Sequence, residues 1–108
     1  MEKYDLYING RWEKPSSGEY FESDNPYDGE IWAKIARGNE KDVDFAVKAA
    51  RSAFEDHWEP MKPTERGKIL VRFAEIIERE ATRLGEIEVK DNGKLFAEMG
   101  AQTKYLAE

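Results

Sequence analysis

The sequence contains no cysteine among its 108 residues. That excludes a disulfide framework, a thiolate metal site and a thiol nucleophile within the chain. Histidine is nearly absent as well. His57 is the single one, so neither a zinc site nor a histidine-based triad can readily be assembled. No apolar run reaches membrane-spanning length, and Met1-Glu2-Lys3 does not open a secretory signal, so no membrane partner is expected and the setting is read as cytoplasmic. Basic clusters are missing too. With a net charge of −6 the chain has no surface suited to phosphate backbones, and no nucleic-acid partner is expected.

What is present describes an ordered, water-soluble chain of at most one domain. Aromatic residues make up 12%, with Trp12, Trp32 and Trp58 among them, which is rich for a disordered segment. The first third reads as short strands. Tyr4, Leu6 and Ile8 alternate with polar neighbours, Asn9-Gly10 signals a tight turn, and Arg11-Trp12-Glu13 continues as the partner strand. Pro15-Ser16-Ser17-Gly18 is a loop, and residues 20–23 form an extended piece ended by Asn25-Pro26. Ile31, Ala33 and Ile35 share one face of a further strand.

At Gly38-Asn39 the period changes from two to about 3.6. Asn39 is a suitable N-cap, and Glu40 and Asp42 place negative charge where the helix dipole favours it. Val43, Ala46, Val47, Ala50 and Phe54 then form one apolar stripe. Residues 56–62 read as a connection. Pro63 opens a second helix, whose stripe of Ile69, Leu70, Phe73, Ile76, Ile77, Leu84 and Ile87 runs to about Lys90. Such a helix is roughly 40 Å long, more than the roughly 30 Å width of a small domain, so part of it is expected to overhang any core this chain builds. Asn92-Gly93 supplies the stop, because glycine adopts the left-handed conformation past a last helical turn without steric cost. Leu95, Phe96, Met99 and Leu106 point to a third helix.

Taken in order, these residues resemble the N-terminal segment of the aldehyde dehydrogenase superfamily. The likeness rests on Tyr7-Ile8-Asn9-Gly10 with Trp12, Asn25-Pro26 followed by Gly29-Glu30, and Asp42-Val43. It continues through Ala46 to Arg51 with Ala53-Phe54, Trp58 with Met61, Arg66-Gly67, Leu70, Arg72 and Ile77-Glu78, and closes on Asp91-Asn92-Gly93-Lys94. Each motif is unspecific alone, and their order and spacing make the resemblance.

The resemblance implies an α/β fold. In it, short antiparallel β-strands followed by two or three α-helices pack around a Rossmann-type cofactor domain, and residues 1–108 are an incomplete part of that domain. It implies a parent enzyme of several hundred residues, a homo-oligomer, that oxidises aldehydes to carboxylic acids with NAD or NADP through a cysteine thioester. The nucleophile cannot be carried by a chain without cysteine, and no glycine-rich phosphate loop follows any strand. The chain is therefore expected to be an inactive N-terminal fragment with no cofactor bound to it alone, the aldehyde being a partner of the full-length parent only. The alternative is a non-catalytic interaction or scaffold module derived from this segment. The resemblance also implies a monovalent cation site, formed by carbonyls before the Asn-Pro turn and a carboxylate. Its counterparts here are Ser23, Asp24 and Asp91.

Other chemistry-bearing residues read more simply. His57 is expected on a surface loop. Glu78/Glu80 and Glu86/Glu88 stand two apart, on different helix faces, and read as solvated surface. Trp12 and Trp32 are expected to pack between strands and helices, and Arg66, Arg72 and Arg79 to lie on an ion-paired face.

Overall fold

Asn9 and Gly10 both adopt left-handed backbone (φ 55° and 76°), which a two-residue hairpin turn of the favoured twist requires. The hairpin joins strand β2 (Leu6–Ile8) to β3 (Arg11–Glu13), antiparallel, with Tyr7 opposite Trp12 and Ile8 opposite Arg11. A computed structural model describes residues Met1–Glu108. Its other strands are β1 (Glu2–Tyr4), β4 (Tyr20–Asp24) and β5 (Ile31–Ala36), forming a second sheet in the order β1-β5-β4.

Two features of the strands depart from the sequence reading. The alternation from Tyr4 to Ile8 is not one strand: it breaks at Asp5, and the halves enter different sheets. The Asp5 carboxylate accepts the Tyr20 hydroxyl at 2.5 Å, a tertiary bond that alternation cannot reveal. The expected antiparallel pairing holds for β2 and β3, but β1 runs parallel to β5, with Lys3 opposite Lys34. A parallel pair needs a long connection, and here everything from Asp5 to Glu30 intervenes.

Helix α1 (Glu40–Ala53) starts at Asn39 as expected, and its start is a reciprocal capping box. The Asn39 side chain accepts the Asp42 amide at 3.1 Å, and the Asp42 carboxylate accepts the Asn39 amide at 3.1 Å. Asp42 is buried and also accepts the Ser16 amide at 3.1 Å, so one carboxylate holds both the helix start and the preceding loop. These bonds, that from the Asn39 amide foremost, keep the Asp42 carboxyl below its usual range. The segment expected as a connection stays helical further than expected. Phe54–Trp58 is a π turn, closed by the Glu59 amide bonding to the Phe54 carbonyl at 2.7 Å.

Helix α2 (Pro63–Asn92) has proline at its first turn and Gly93 as its left-handed C-cap (φ 73°), the stop expected from Asn92-Gly93. Helix α3 (Phe96–Tyr105) follows. No helix is long and apolar enough to cross a membrane.

The chain divides into two compact units: Met1–Ser23 with Ile31–Met61, and Asp24–Glu30 with Lys62–Glu108. In the first, Ile8, Ala33 and Ala36 are buried with Asp42. In the second, Ala81 and Gly85 of α2 are buried against Met99 and Thr103 of α3. A methyl placed on Gly85 would lie only 3.5–3.6 Å from the Gly100 backbone, so the two helices approach closely there. The Thr103 hydroxyl is satisfied by the Met99 carbonyl at 2.7 Å.

These cores are small. No large side chain is fully buried, while Val43 and Val47 of α1, Phe54 of the π turn and Ile69, Leu70 and Phe73 of α2 are exposed. Both helices bear amphipathic stripes; that of α2 is half-buried at Ile77, Leu84 and Ile87, and its Ile69–Ile76 part is left uncovered.

Candidate functional site

The turn residues around Asn25 and the end of α2 belong to the same unit and meet at one point. The loop is built by asparagine and aspartate. The Asn25 side chain accepts the Tyr27 amide at 3.0 Å, Asp28 accepts the Glu30 amide at 2.9 Å, and the Asn25 and Glu30 backbones pair at 2.9 Å. These bonds present Pro26. Opposite it, the Gly93 amide bonds the Val89 carbonyl at 2.9 Å, and Asn92 accepts the Lys94 amide at 2.9 Å while donating to Glu88 at 3.1 Å. A Cβ on Gly93 would come within 3.1 Å of the Pro26 Cβ. Glycine is therefore required twice, by the sign of φ and by Pro26.

Asp91 lies in the last turn of α2 and is exposed, and Ser23 and Asp24 end strand β4. An acid at a helix C-terminus opposes the helix dipole. No three His, Cys, Asp or Glu side chains gather into a group able to hold a metal ion. A site of the kind expected from Ser23, Asp24 and Asp91 would draw on carbonyl oxygens as well.

The remaining candidates fall into place as surface. His57 is exposed within the π turn. Glu80 pairs with Arg83 at 3.0 Å and with Arg79 at 3.7 Å, and the Arg83 hydrogen bond, first, with these charges lowers its pKa. Arg79 thus lies on an ion-paired face as expected. Trp12 does not pack under the helices. It is 64% exposed and meets Tyr7 edge-on across the hairpin, at 5.1 Å between rings. The hairpin pairs the two residues on its outer face, which the strand alternation alone did not decide. Trp32 is half-buried beside Tyr4, with its indole N–H buried and unpartnered.

A dinucleotide would need helix-terminal N–H groups open to its pyrophosphate. The one place where a strand leads through glycine straight into a helix is Arg37-Gly38-Asn39, between β5 and α1. Here the Asp42 amide is taken by Asn39, and the acids Glu40 and Asp42 occupy the first turn. The start of α1 does not fit that group.

Comparison with known proteins gives a consistent picture. A model described as the aldehyde dehydrogenase family matches residues 12–108. The chain is 40% identical, over its whole length, to an Acinetobacter baylyi (Z)-2-((N-methylformamido)methylene)-5-hydroxybutyrolactone dehydrogenase, of which it covers 22%. It is 43% identical over 93 residues to the mitochondrial aldehyde dehydrogenase of Rattus norvegicus, covering 84% of this chain and 18% of that one. Among solved structures it superimposes on HpcC from Thermus thermophilus with a TM-score of 0.93 at 37% identity, over 97% of this chain and 20% of that one. Against betaine aldehyde dehydrogenase from Staphylococcus aureus, solved with NAD+, the TM-score is 0.86 at 29% identity, over 95% of this chain and 22% of that one. The chain thus spans about a fifth of the length of these relatives.

Proposed function

We propose, on the premise that this chain belongs to the aldehyde dehydrogenase family and corresponds to its N-terminal segment, that it serves as scaffold and not as catalyst. In this reading residues 1–108 are an incomplete part of the cofactor-binding domain of a cytoplasmic, homo-oligomeric enzyme. That enzyme oxidises an aldehyde to a carboxylic acid with NAD or NADP. The cysteine that would attack the aldehyde is supplied by other residues of such an enzyme, because this chain has none.

The observation that carries the reading is the uncovered stripe of α2, within a chain whose fold follows a family structure over 97% of its length. A helix that is apolar on one face needs a partner for that face. The rest of the enzyme would be the partner, and each large side chain it covers would contribute about 1.5–3 kcal/mol. The experiment is an exchange: this chain, set in place of the matching segment of the Acinetobacter relative, is expected to leave a working dehydrogenase. The chain by itself is expected to reduce no cofactor.

The same reading includes a monovalent cation held by the Ser23 and Asp24 carbonyls and the Asp91 carboxylate. It is supported by the position of Asp91 in the last turn of α2, at the negative end of the helix dipole, which itself favours a cation. Potassium is expected to raise the melting temperature of the chain more than tetramethylammonium at equal ionic strength, and Asp91→Asn to abolish the difference. Identical melting in the two salts would remove the cation from the account.

A further inference from the structure

The first unit carries a concentration of positive charge that its own acids do not neutralise. Lys3 of β1 and Lys34 of β5 stand directly opposite each other, and side chains opposite each other in paired strands lie on the same face. Like charges so placed repel. Arg37 follows at the end of β5, and the three cations line an open concavity of about 680 Å³ together with Tyr20, Phe21 and Glu22. None of the three takes part in an ion pair within the chain. In a chain of net charge −6, three cations against the Glu22 carboxylate of the lining and the Asp5 carboxylate bonded to the Tyr20 hydroxyl leave this concavity locally basic.

The aromatic rings of β4 orient the cations. The Lys3 ammonium sits 4.0 Å from the centre of the Tyr20 ring, and the Arg37 guanidinium 5.4 Å from that of Phe21. The Tyr20 hydroxyl is committed to Asp5, whose hydrogen bond pushes the phenol up to about 12, so the ring adds no negative charge. Two ammonium groups and a planar guanidinium fork are the donor set suited to a tetrahedral oxyanion.

We propose that the concavity lined by Lys3, Lys34 and Arg37 binds the phosphate group of a small anionic ligand. The phosphate dianion would relieve the repulsion between Lys3 and Lys34 while receiving the Arg37 fork. Glu22, in the same lining, would disfavour ligands with further negative charge on that side. The site stands on the first unit alone and does not depend on the dehydrogenase reading.

The test is amide NMR of the full chain titrated with inorganic phosphate and, separately, with phenyl phosphate. Saturable shifts confined to Lys3, Tyr20, Phe21, Lys34, Arg37 and their neighbours are expected, weakening steeply with added salt. Loss of both strand-end charges in Lys34→Gln/Arg37→Gln is expected to weaken binding about tenfold or more, with Lys34→Arg close to the parent chain. Tighter binding of phenyl phosphate would assign the site to a phosphate ester, and equal binding to free phosphate. Shifts scattered over the other cationic surfaces, or unchanged in the double variant, would mean an adventitious ion only and overturn the proposal. So would the absence of saturable shifts in a chain whose dispersed spectrum shows it folded.

Discussion

Replacing Gly93 by alanine is expected to lower the stability of the second unit more than any other single methyl addition at a glycine. The left-handed backbone at Gly93 (φ 73°) costs an L-residue about 1–2 kcal/mol. The new Cβ would in addition stand 3.1 Å from the Pro26 Cβ, so the turn or the helix end must shift. For a domain of this size each kcal/mol corresponds to about 4–8 °C of melting temperature. The two contributions separate by substitution. Gly93→Asn keeps the crowding but tolerates the backbone better, and is expected to fall between wild type and alanine. In a Pro26→Gly background the alanine cost should shrink to its backbone part, a coupling that a double-mutant cycle measures. By contrast Gly10 and Gly18, also left-handed, have open space where a Cβ would go, and their alanine variants should show the backbone cost alone. A thermal melt in which Gly93→Ala costs no more than Gly10→Ala would show that the Pro26 contact is not tight in solution.

The second large effect concerns association. Leu70 and Phe73 of α2 are 57% and 58% exposed, on a stripe that continues through Ile69 and Ile76. Uncovered faces of that extent mark interaction surfaces or association hazards. The isolated chain is therefore expected to bind a hydrophobic dye and to elute from size exclusion as larger species that grow with concentration. Leu70→Lys with Phe73→Lys should cut the dye signal severalfold and shift elution toward the monomer. Helix content should be retained, since neither side chain is part of the buried α2–α3 contact. A chain that runs as a concentration-independent monomer without dye binding would show that α2 covers its stripe by itself.

Local chemistry made much of this fold legible. Asn9-Gly10 specified a hairpin, Asn39 a helix start, Pro63 a first helical turn and Gly93 a stop, because each of these choices is decided within a few residues of backbone. What was not legible depended on distant partners. Asp5, where the strand breaks, is bonded to Tyr20, fifteen positions away, and the parallel pairing of β1 with β5 joins segments separated by most of the first third of the chain. The π turn at Phe54–Trp58 lay hidden because helical periodicity does not distinguish i+4 from i+5 closure over one turn. The second role of Asp42, holding Ser16, was likewise beyond a pattern that identified it only as a favourable first-turn acid.

The candidate site divides in the same way. The Asn25-Pro26 and Asn92-Gly93 motifs were readable as separate turns, but their meeting through Pro26 and Gly93 is a tertiary fact. Chain-long resemblance, and not any single motif, pointed to the family, and the matches over residues 12–108 agree with it. The basic concavity escaped sequence reading because Lys3, Lys34 and Arg37 become neighbours only through the parallel register.

The central claim is that this chain is the structural N-terminal portion of a dehydrogenase, its apolar faces being completed by residues it does not contain. Cofactor reduction by the Acinetobacter dehydrogenase carrying this chain in place of its own matching segment tests it most directly, with the chain alone as control. The account predicts that the exchanged enzyme retains the relative's dehydrogenase activity and that the control shows none. A soluble, folded exchange product without activity, or reduction of NAD or NADP by the cysteine-free chain on its own, would contradict it.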